Sequence, residues 1–418
     1  MSDPAMRNAT SPDGGGLAAW AAVGAVAAAT FTVVTSEMLP VGLLTPIGRT
    51  LGVSEGVAGL ALTVTGLVAA VAAPLIVPAL RRADRRPVVV ALLLTLALGN
   101  AVAAWSPNAV ALMAGRVLVG AGMGGVWALA ASLAARLVPE RSRGTAIAVA
   151  FSGVAIASVL GVPAGTLLGE AAGWRAAFAA AGGFAVVLAA AMAVLLPPLP
   201  VERSTNLRGM AGLAAEPRVR AGLIATALLV TGHFAAYTYV RPVLEDVSGA
   251  DAGQIGVLLL GYGVAGVAGN FASGARAVRS PRATLLVLGT ALAVTVLLVP
   301  LLGRSLGGGA ALLMLWGLAY GGVSVTVQNW LLAAAPHAQE AASGLLVAVF
   351  NAAIALGALL GGRAADGLGT VSVMWVAGLL AAAAAVQVVR AAEPARPEEQ
   401  GSMRAASVPE SRTSADGR

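Results

Sequence analysis

Four absences narrow this sequence before any motif is sought. Its 418 residues contain no cysteine, no lysine, only two histidines and just 11% charged side chains. Without cysteine there are no disulfides, no thiol nucleophiles and no thiolate metal ligands. Two histidines leave a multi-histidine metal centre short of ligands, so no metal is expected. Without lysine there is no P-loop for ATP and no Schiff-base cofactor, so no cofactor is expected either. With no cysteine, no lysine and two histidines, a membrane-embedded enzyme is left with almost nothing from which to build a nucleophile–base pair. We therefore read the chain as a non-enzyme. Its formal charge of +7 carries no nucleic-acid signature, because the arginines sit in short turns between apolar runs.

Those apolar runs are what the sequence has instead. It is 58% hydrophobic with a mean hydropathy of +0.86. A membrane-crossing helix needs about 20 apolar residues, and twelve such runs are present: 17–39, 56–79, 87–105, 109–135, 144–168, 175–196, 220–241, 252–275, 283–302, 309–334, 341–362 and 371–390. Alternating barrel strands are absent, so the expected fold is an all-α polytopic membrane protein. If residue 1 lies inside, 20 arginines fall on the inner side and five on the outer, with Arg116 alone within a span. The positive-inside rule then puts both termini in the cytoplasm.

The longest interior polar stretch, Pro197 to Arg218, divides six spans from six. The expected organisation is a disordered N-terminus 1–16, a six-helix bundle 17–196, a linker 197–219, a second bundle 220–390 and a disordered tail 391–418. An ungapped offset of 197 superimposes the halves. Gly52, Gly56, Gly59 and Gly66 meet Gly249, Gly253, Gly256 and Gly263, and Gly120, Gly124 and Gly125 meet Gly317, Gly321 and Gly322. Of 15 glycines between 52 and 169, eight land on glycine, where a glycine content of 53 in 418 would give about two by chance. A parallel repeat of six spans, with a site near the midplane between the halves, describes a transporter architecture.

Charges inside spans are costly and mark function. Arg116 shares a face of the fourth span with Gly120, Met123 and Trp127, which suggests a cavity wall. Glu37 is the one acid well inside a span and the leading proton carrier. His233 and Tyr237, i and i+4 on the seventh span, add a titratable ring and a hydroxyl. Trp316, Tyr320 and Ser324 share a face of the tenth span, with Gln328 deeper, Asn351 in the eleventh, and Tyr262 and Asn270 in the eighth. Such uncharged polar groups can orient a neutral substrate. The fifth span carries a small-residue stripe, Gly153, Ala157, Gly161, Gly165 and Gly169, interrupted by Pro163. The eighth has Gly261, Ala265, Gly269 and Ser273. We expect these two stripes to pack face to face across the halves. Arg241, Glu245 and Asp246 belong to the outer mouth.

SEMLPVGLLTPI in the first span, GRVLVGAGMGG in the fourth, LGVPAGTLLG followed by GWRAAF, and GHFAAYTYVRP in the seventh together resemble the major facilitator superfamily. Within it they are similar to the twelve-span drug:proton antiporters, in particular the sugar efflux and chloramphenicol-type efflux branch. The resemblance covers roughly residues 17–390. It implies the fold of that superfamily, twelve transmembrane helices as two six-helix pseudo-repeats. It also implies proton-coupled efflux of a sugar or drug-like molecule by alternating access, and so a place in drug resistance. Glu37, Arg116 and His233 would serve proton coupling. Trp127, Tyr237, Trp316, Tyr320, Gln328 and Asn351 would line the substrate cavity. Gly153, Gly161, Pro163 and Gly165 match the antiporter motif. The loop after the second span departs from the family pattern: VPALRRADRR has Val77, Arg81 and Asp84 where Gly, Asp and Gly are usual, leaving Asp84, Arg85 and Arg86 as its gating candidates. The implied partners are a small-molecule substrate, protons and the bilayer of a bacterial cytoplasmic membrane. The implied state is a monomer.

Overall fold

The computed structural model describes residues 16–79, 83–199, 212–336 and 338–391. Arg81, Arg82, most of the expected terminal segments and the centre of the expected linker lie outside them. Among the described residues there is no strand, and twelve helices are long and apolar enough to cross a membrane. They are α1 (Leu17–Leu51), α2 (Glu55–Ala73), α3 (Arg85–Ala104), α4 (Ala109–Arg136), α5 (Glu140–Ala172), α6 (Trp174–Leu195), α7 (Pro217–Tyr237), α8 (Ala252–Arg279), α9 (Pro281–Leu302), α10 (Leu306–Ala334), α11 (Ala341–Leu368) and α12 (Ser372–Arg390). A short helix, Val240–Ser248, prolongs α7.

Local chemistry sets where the helices begin. Asn108 caps α4 by accepting from the Ala111 N–H, Ser305 caps α10 by accepting from Gly308, and Asp251 forms a capping box with Gln254 at the start of α8. The largest departure from expectation is α1, which continues through Pro40 and Pro46 to Leu51. Apolar content alone placed its end at residue 39, because proline normally stops a helix. Between packed transmembrane helices the freed carbonyls find other donors, so prolines are tolerated. The positive-φ residues among those described are all glycines: Gly52, Gly173, Gly249 and Gly369. They make the tight turns α1–α2, α5–α6, α7–α8 and α11–α12, which lie together at one end of the molecule. Gly52 and Gly249 are repeat equivalents with φ of 64° and 66°, a conformation that costs a side-chain-bearing residue about 1 kcal/mol or more.

The repeated glycines also have matched surroundings. Gly120 and Gly124 seat α4 against the backbone of α2 at Thr65 and Ala69. Their equivalents Gly317 and Gly321 seat α10 against α8 at Tyr262 and Gly266. Gly66 of α2 meets Asn351 and Ala355 of α11, while its equivalent Gly263 of α8 meets Ser158 and Val159 of α5. Thus α2–α11 and α5–α8 are two symmetry-related seams joining the first six helices to the last six. An arginine also ties the third helix of each half to the sixth, from positions one residue out of register: at the offset of 197, Arg282 matches Arg85 and not Arg86. Arg86 at the start of α3 donates to the Ala193 carbonyl near the end of α6, and Arg282 at the start of α9 donates to Val388 and Val389 near the end of α12.

The expected face-to-face packing of the two small-residue stripes is not what forms. Gly153, Gly161, Gly165 and Gly169 of α5 face Ala27, Thr35, Leu39 and Leu43 of α1. Gly261 and Gly269 of α8 face Met314 and Leu318 of α10. The helices α5 and α8 do touch, through Gly256 and Gly263 instead. A stripe of small residues marks a close approach without naming the partner, and in each case the partner within the same half takes it.

Candidate functional site

Proline 40 organises the centre of the first half. It has no N–H, so the carbonyl four residues earlier, on Ser36, loses its helical donor. Arg116 supplies that donor. Its Nη1 donates to the Ser36 carbonyl at 2.8 Å, Nη2 to the Glu37 carbonyl at 2.9 Å and Nε to the Ala61 carbonyl at 3.1 Å. A fully buried guanidinium therefore ties α4 to α1 and α2 through backbone. Phe178 of α6 lies 6.0 Å from the Arg116 guanidinium carbon. The α4 face carrying Arg116, Gly120, Met123 and Trp127 is not the expected cavity wall. Gly120 abuts Thr65 and Val68, Met123 is wholly buried, and Trp127 packs on Phe151 of α5 at 5.7 Å. Gly120 lets α4 and α2 approach closely, and that closeness removes the cavity.

Glu37 presents only its backbone carbonyl to Arg116. The residue is 4% exposed, and its Oε1 has no hydrogen-bond partner among the described residues. Beside it, Asn100 of α3 donates to the Ser36 hydroxyl at 3.0 Å. The carboxylate lies within electrostatic range of Arg116 and, across the halves, of Tyr320. The Tyr320 hydroxyl is likewise buried without a partner among the described residues. Two orphaned polar atoms on opposite halves are costly, and they face the same region.

The second half supplies an aromatic stack there. Three of the four tyrosines in the chain belong to it. Tyr320 of α10 lies flat on His233 of α7, centroids 3.3 Å apart and planes 5° apart. His233 stacks in turn on Tyr237 at 5.0 Å, and Tyr237 on Tyr262 of α8 at 4.8 Å. Trp316 of α10 closes the side, donating from Nε1 to His233 Nδ1 at 3.0 Å. The i, i+4 spacing of His233 and Tyr237 and of Trp316 and Tyr320 made these pairs visible in the sequence; their union into one stack needed the fold. The other expected cavity residues lie elsewhere. Gln328 donates to Ser343 of α11 at 2.8 Å, and Asn351 donates to the Val347 carbonyl of its own helix at 2.9 Å.

At the tight-turn end a second polar cluster bridges the halves. Arg241, 3% exposed in the short helix after α7, donates to the Gly42 carbonyl of α1 at 2.7 Å and pairs with Glu245 at 2.9 Å and Glu170 of α5 at 2.5 Å. Glu245 also accepts from Thr45 at 2.8 Å. Asp366 of α11 accepts from the Ser54 hydroxyl at 2.7 Å and the Gly56 N–H at 3.0 Å. Sequence placed Arg241 and Glu245 at the mouth, but missed Glu170 and Asp366. The available signal was that each acid lies within a few residues of a tight-turn glycine, Gly173 or Gly369. At the opposite end, Asp84 caps α3 by accepting from the Arg86 N–H at 2.8 Å and also accepts from the Leu199 N–H at 2.8 Å. Arg85, largely buried, donates its N–H to the Leu199 carbonyl at 3.0 Å. Within α5, a π-helical turn, Ala157–Gly161, ends two residues before Pro163.

Comparison with known proteins places this geometry. The family model described as Major Facilitator Superfamily matches residues 26–346 and 223–414. A protein of Escherichia coli strain K12, the purine ribonucleoside efflux pump NepI, is 36% identical over 361 residues, covering 86% of this chain and 91% of that protein. The Shigella sonnei protein of the same name matches at the same identity and coverage. Among solved structures, a bacterial homologue of the human lysosomal transporter Spinster, inward-facing and unoccupied, has a TM-score of 0.65 at 16% identity, covering 89% of this chain and 94% of that one. The occupied form gives 0.67 at 15% identity. These last two share the fold.

Proposed function

Because the chain belongs to the major facilitator superfamily, we propose that it exports purine ribonucleosides in exchange for protons, binding them between Glu37 and the Tyr320–His233–Tyr237–Tyr262 stack. The observation that carries this reading is the pair of orphaned polar atoms, Glu37 Oε1 and the Tyr320 hydroxyl, set against stacked aromatic rings on the opposite half. A purine base has a flat π-face suited to an aromatic platform, where stacking is worth about 1–3 kcal/mol per base. Its exocyclic amino groups and the ribose hydroxyls can donate to a carboxylate. The substrate class that the E. coli relative's name gives supports the same choice, and a ribonucleoside carries the sugar hydroxyls that a sugar site would also read.

Glu37 is the proton carrier in this scheme. Proton and substrate compete for the same carboxylate oxygens, so the loaded and protonated forms exclude one another. Arg116 holds the Pro40 bend of α1 and sets the field at Glu37. His233 accepts from Trp316 at Nδ1, so its proton sits on Nε2. That makes it a donor to substrate rather than a relay. The bundles 17–196 and 220–390 rock about the α2–α11 and α5–α8 seams. The tight-turn end faces out and both termini lie in the cytoplasm of a bacterial cell, the protein acting as a monomer. A proton moving inward across about 100 mV releases about 2.3 kcal/mol, enough to sustain roughly a 50-fold substrate gradient.

The test is efflux from proteoliposomes loaded with guanosine, inosine or adenosine under an imposed pH gradient. Wild type should extrude nucleoside and move protons in parallel. Glu37→Gln should lose the gradient-driven component while retaining nucleoside exchange. Coupled transport at the wild-type rate in the Gln variant would refute the role of Glu37, and transport of none of the nucleosides would refute the substrate.

A further inference from the structure

The repeat relates α8, α9 and α10 to α2, α3 and α4, and at one place the two trios differ. A groove of about 410 Å³ opens between α8, α9 and α10. Its walls are mainly apolar, with Leu288, Ala291, Leu315 and Leu318 prominent, and Arg276 stands at one end near Thr284. Shifted by 197, its residues Ala272, Ser273 and Arg276 correspond to Leu75, Ile76 and Ala79. In the first trio Ile76 and Leu92 reach Gly125 and fill the space. In the second, Gly289 stands at the position of Leu92, and the equivalent Gly322 meets the small Ser273 and a methyl of Leu288. Small side chains have opened in one half what large ones close in the other, and an arginine has been added at the rim.

Several observations identify the occupant. The groove opens sideways, since Val287 and Leu315 on its lips are 60% and 52% exposed, and in a spanning bundle such surface meets hydrocarbon. It runs along α9 from Thr284 to Thr295, about 16 Å at 1.5 Å per residue. That is one leaflet, half of the ~30 Å hydrocarbon core. Arg276 is exposed and makes no ion pair among the described residues. Its neighbour Arg282 is already committed to the Val388 and Val389 carbonyls. A basic pocket between transmembrane helices at the polar boundary takes an anionic head group. We propose that this groove holds one acyl chain of an anionic glycerophospholipid, with its phosphate paired to Arg276.

Native mass spectrometry of the full chain tests this, using micelles doped with equal amounts of phosphatidylglycerol and phosphatidylcholine. Wild type should retain one phosphatidylglycerol in preference. Arg276→Gln should lower the retention ratio of the two lipids about five-fold, equivalent to about 1 kcal/mol for one arginine at an anionic surface. Ala272→Leu, which restores the large residue of the first half at an exposed position, should reduce retention of both lipids. Thermal unfolding of each variant verifies that it folds. Equal retention of the two lipids by wild type, an unchanged ratio in Arg276→Gln, or undiminished retention in Ala272→Leu would each overturn the assignment.

Discussion

The partnership of Arg116 with Pro40 predicts a specific non-additivity. Arg116→Met removes three buried hydrogen bonds from a charged donor, each worth about 1.5–3 kcal/mol. The Ser36 carbonyl is hit hardest, because Pro40 offers it no N–H in return. In a Pro40→Ala background, residue 40 gains that N–H and the ordinary helical bond to Ser36 can close. Loss of Arg116 then strands one carbonyl fewer. The cost of Arg116→Met should therefore be about 1.5–3 kcal/mol smaller in Pro40→Ala than in the wild-type chain. Four chains complete the cycle, each unfolded by increasing SDS in mixed micelles and followed by tryptophan fluorescence. Additivity within about 0.5 kcal/mol, the agreement usual for independent sites, would show that Arg116 does not replace the donor Pro40 lacks.

Other predictions follow from the seams and the stack. Arg241→Gln strands Glu170 and the Gly42 carbonyl. Breaking a buried pair costs about 3–5 kcal/mol, and the partial exposure of both glutamates, 26% for Glu170 and 19% for Glu245, brings this to about 2 kcal/mol. That is roughly a 30-fold shift toward separation of the tight-turn end. The chain has no cysteine, so spin labels at Thr50 and Ala252 would be unique, and a longer second distance should appear in the variant; an unchanged distribution would count against the latch. Gly263→Ala should lower the thermal midpoint more than Gly66→Ala. Its Cβ would stand 2.8 Å from the Val159 backbone, whereas that at Gly66 would meet its nearest atom, the Asn351 carbonyl oxygen, at 3.0 Å. Tyr320→Phe deletes a buried hydroxyl with no partner among the described residues, so the thermal midpoint should hold or rise while nucleoside efflux falls. Trp316→Phe removes the donor that fixes His233 and should weaken discrimination between purine and pyrimidine nucleosides in the same efflux assay.

The spans were legible because hydrocarbon tolerates so few polar side chains. Every span start lies within about four residues of its helix start and most ends do too, but α11 runs further than expected, to Leu368, and α1 was misjudged because Pro40 reads as a stop in any local rule. The offset of 197 was legible in glycine positions alone, and the structure gives those positions their reason, close approach at Gly66 and Gly263 and at Gly120 and Gly317. The direction in which a small stripe faces was not legible. Gly161 carries no information about whether Thr35 of α1 or a residue of α8 lies opposite, since either would fit against a hydrogen atom. Arg116 was found by its cost in the bilayer, but its partners are backbone carbonyls, which have no sequence signature beyond the proline that frees one of them. His233, Tyr237, Trp316 and Tyr320 were each visible, whereas Trp127, Gln328 and Asn351 had the same chemistry and different neighbours.

The wide turn at Ala157–Gly161 has a consequence for helical phase. Four residues of an α-helix advance about 400°, so a strict four-residue repeat drifts about 40° at each step. From Gly153 to Gly169 a uniform helix would carry the stripe about 160° around its axis, with the last glycine facing away from the first. Yet Gly153, Gly161, Gly165 and Gly169 all meet α1, each 126 positions after the residue it touches. The underwound turn takes back part of that drift on α5, roughly the 100° of one residue. Winding these same residues as ordinary α-helix, with none removed, would swing Gly165 and Gly169 by roughly 100°. The side chains now facing elsewhere would be brought against Leu39 and Leu43, so the timing of this helix rests on a single extra residue.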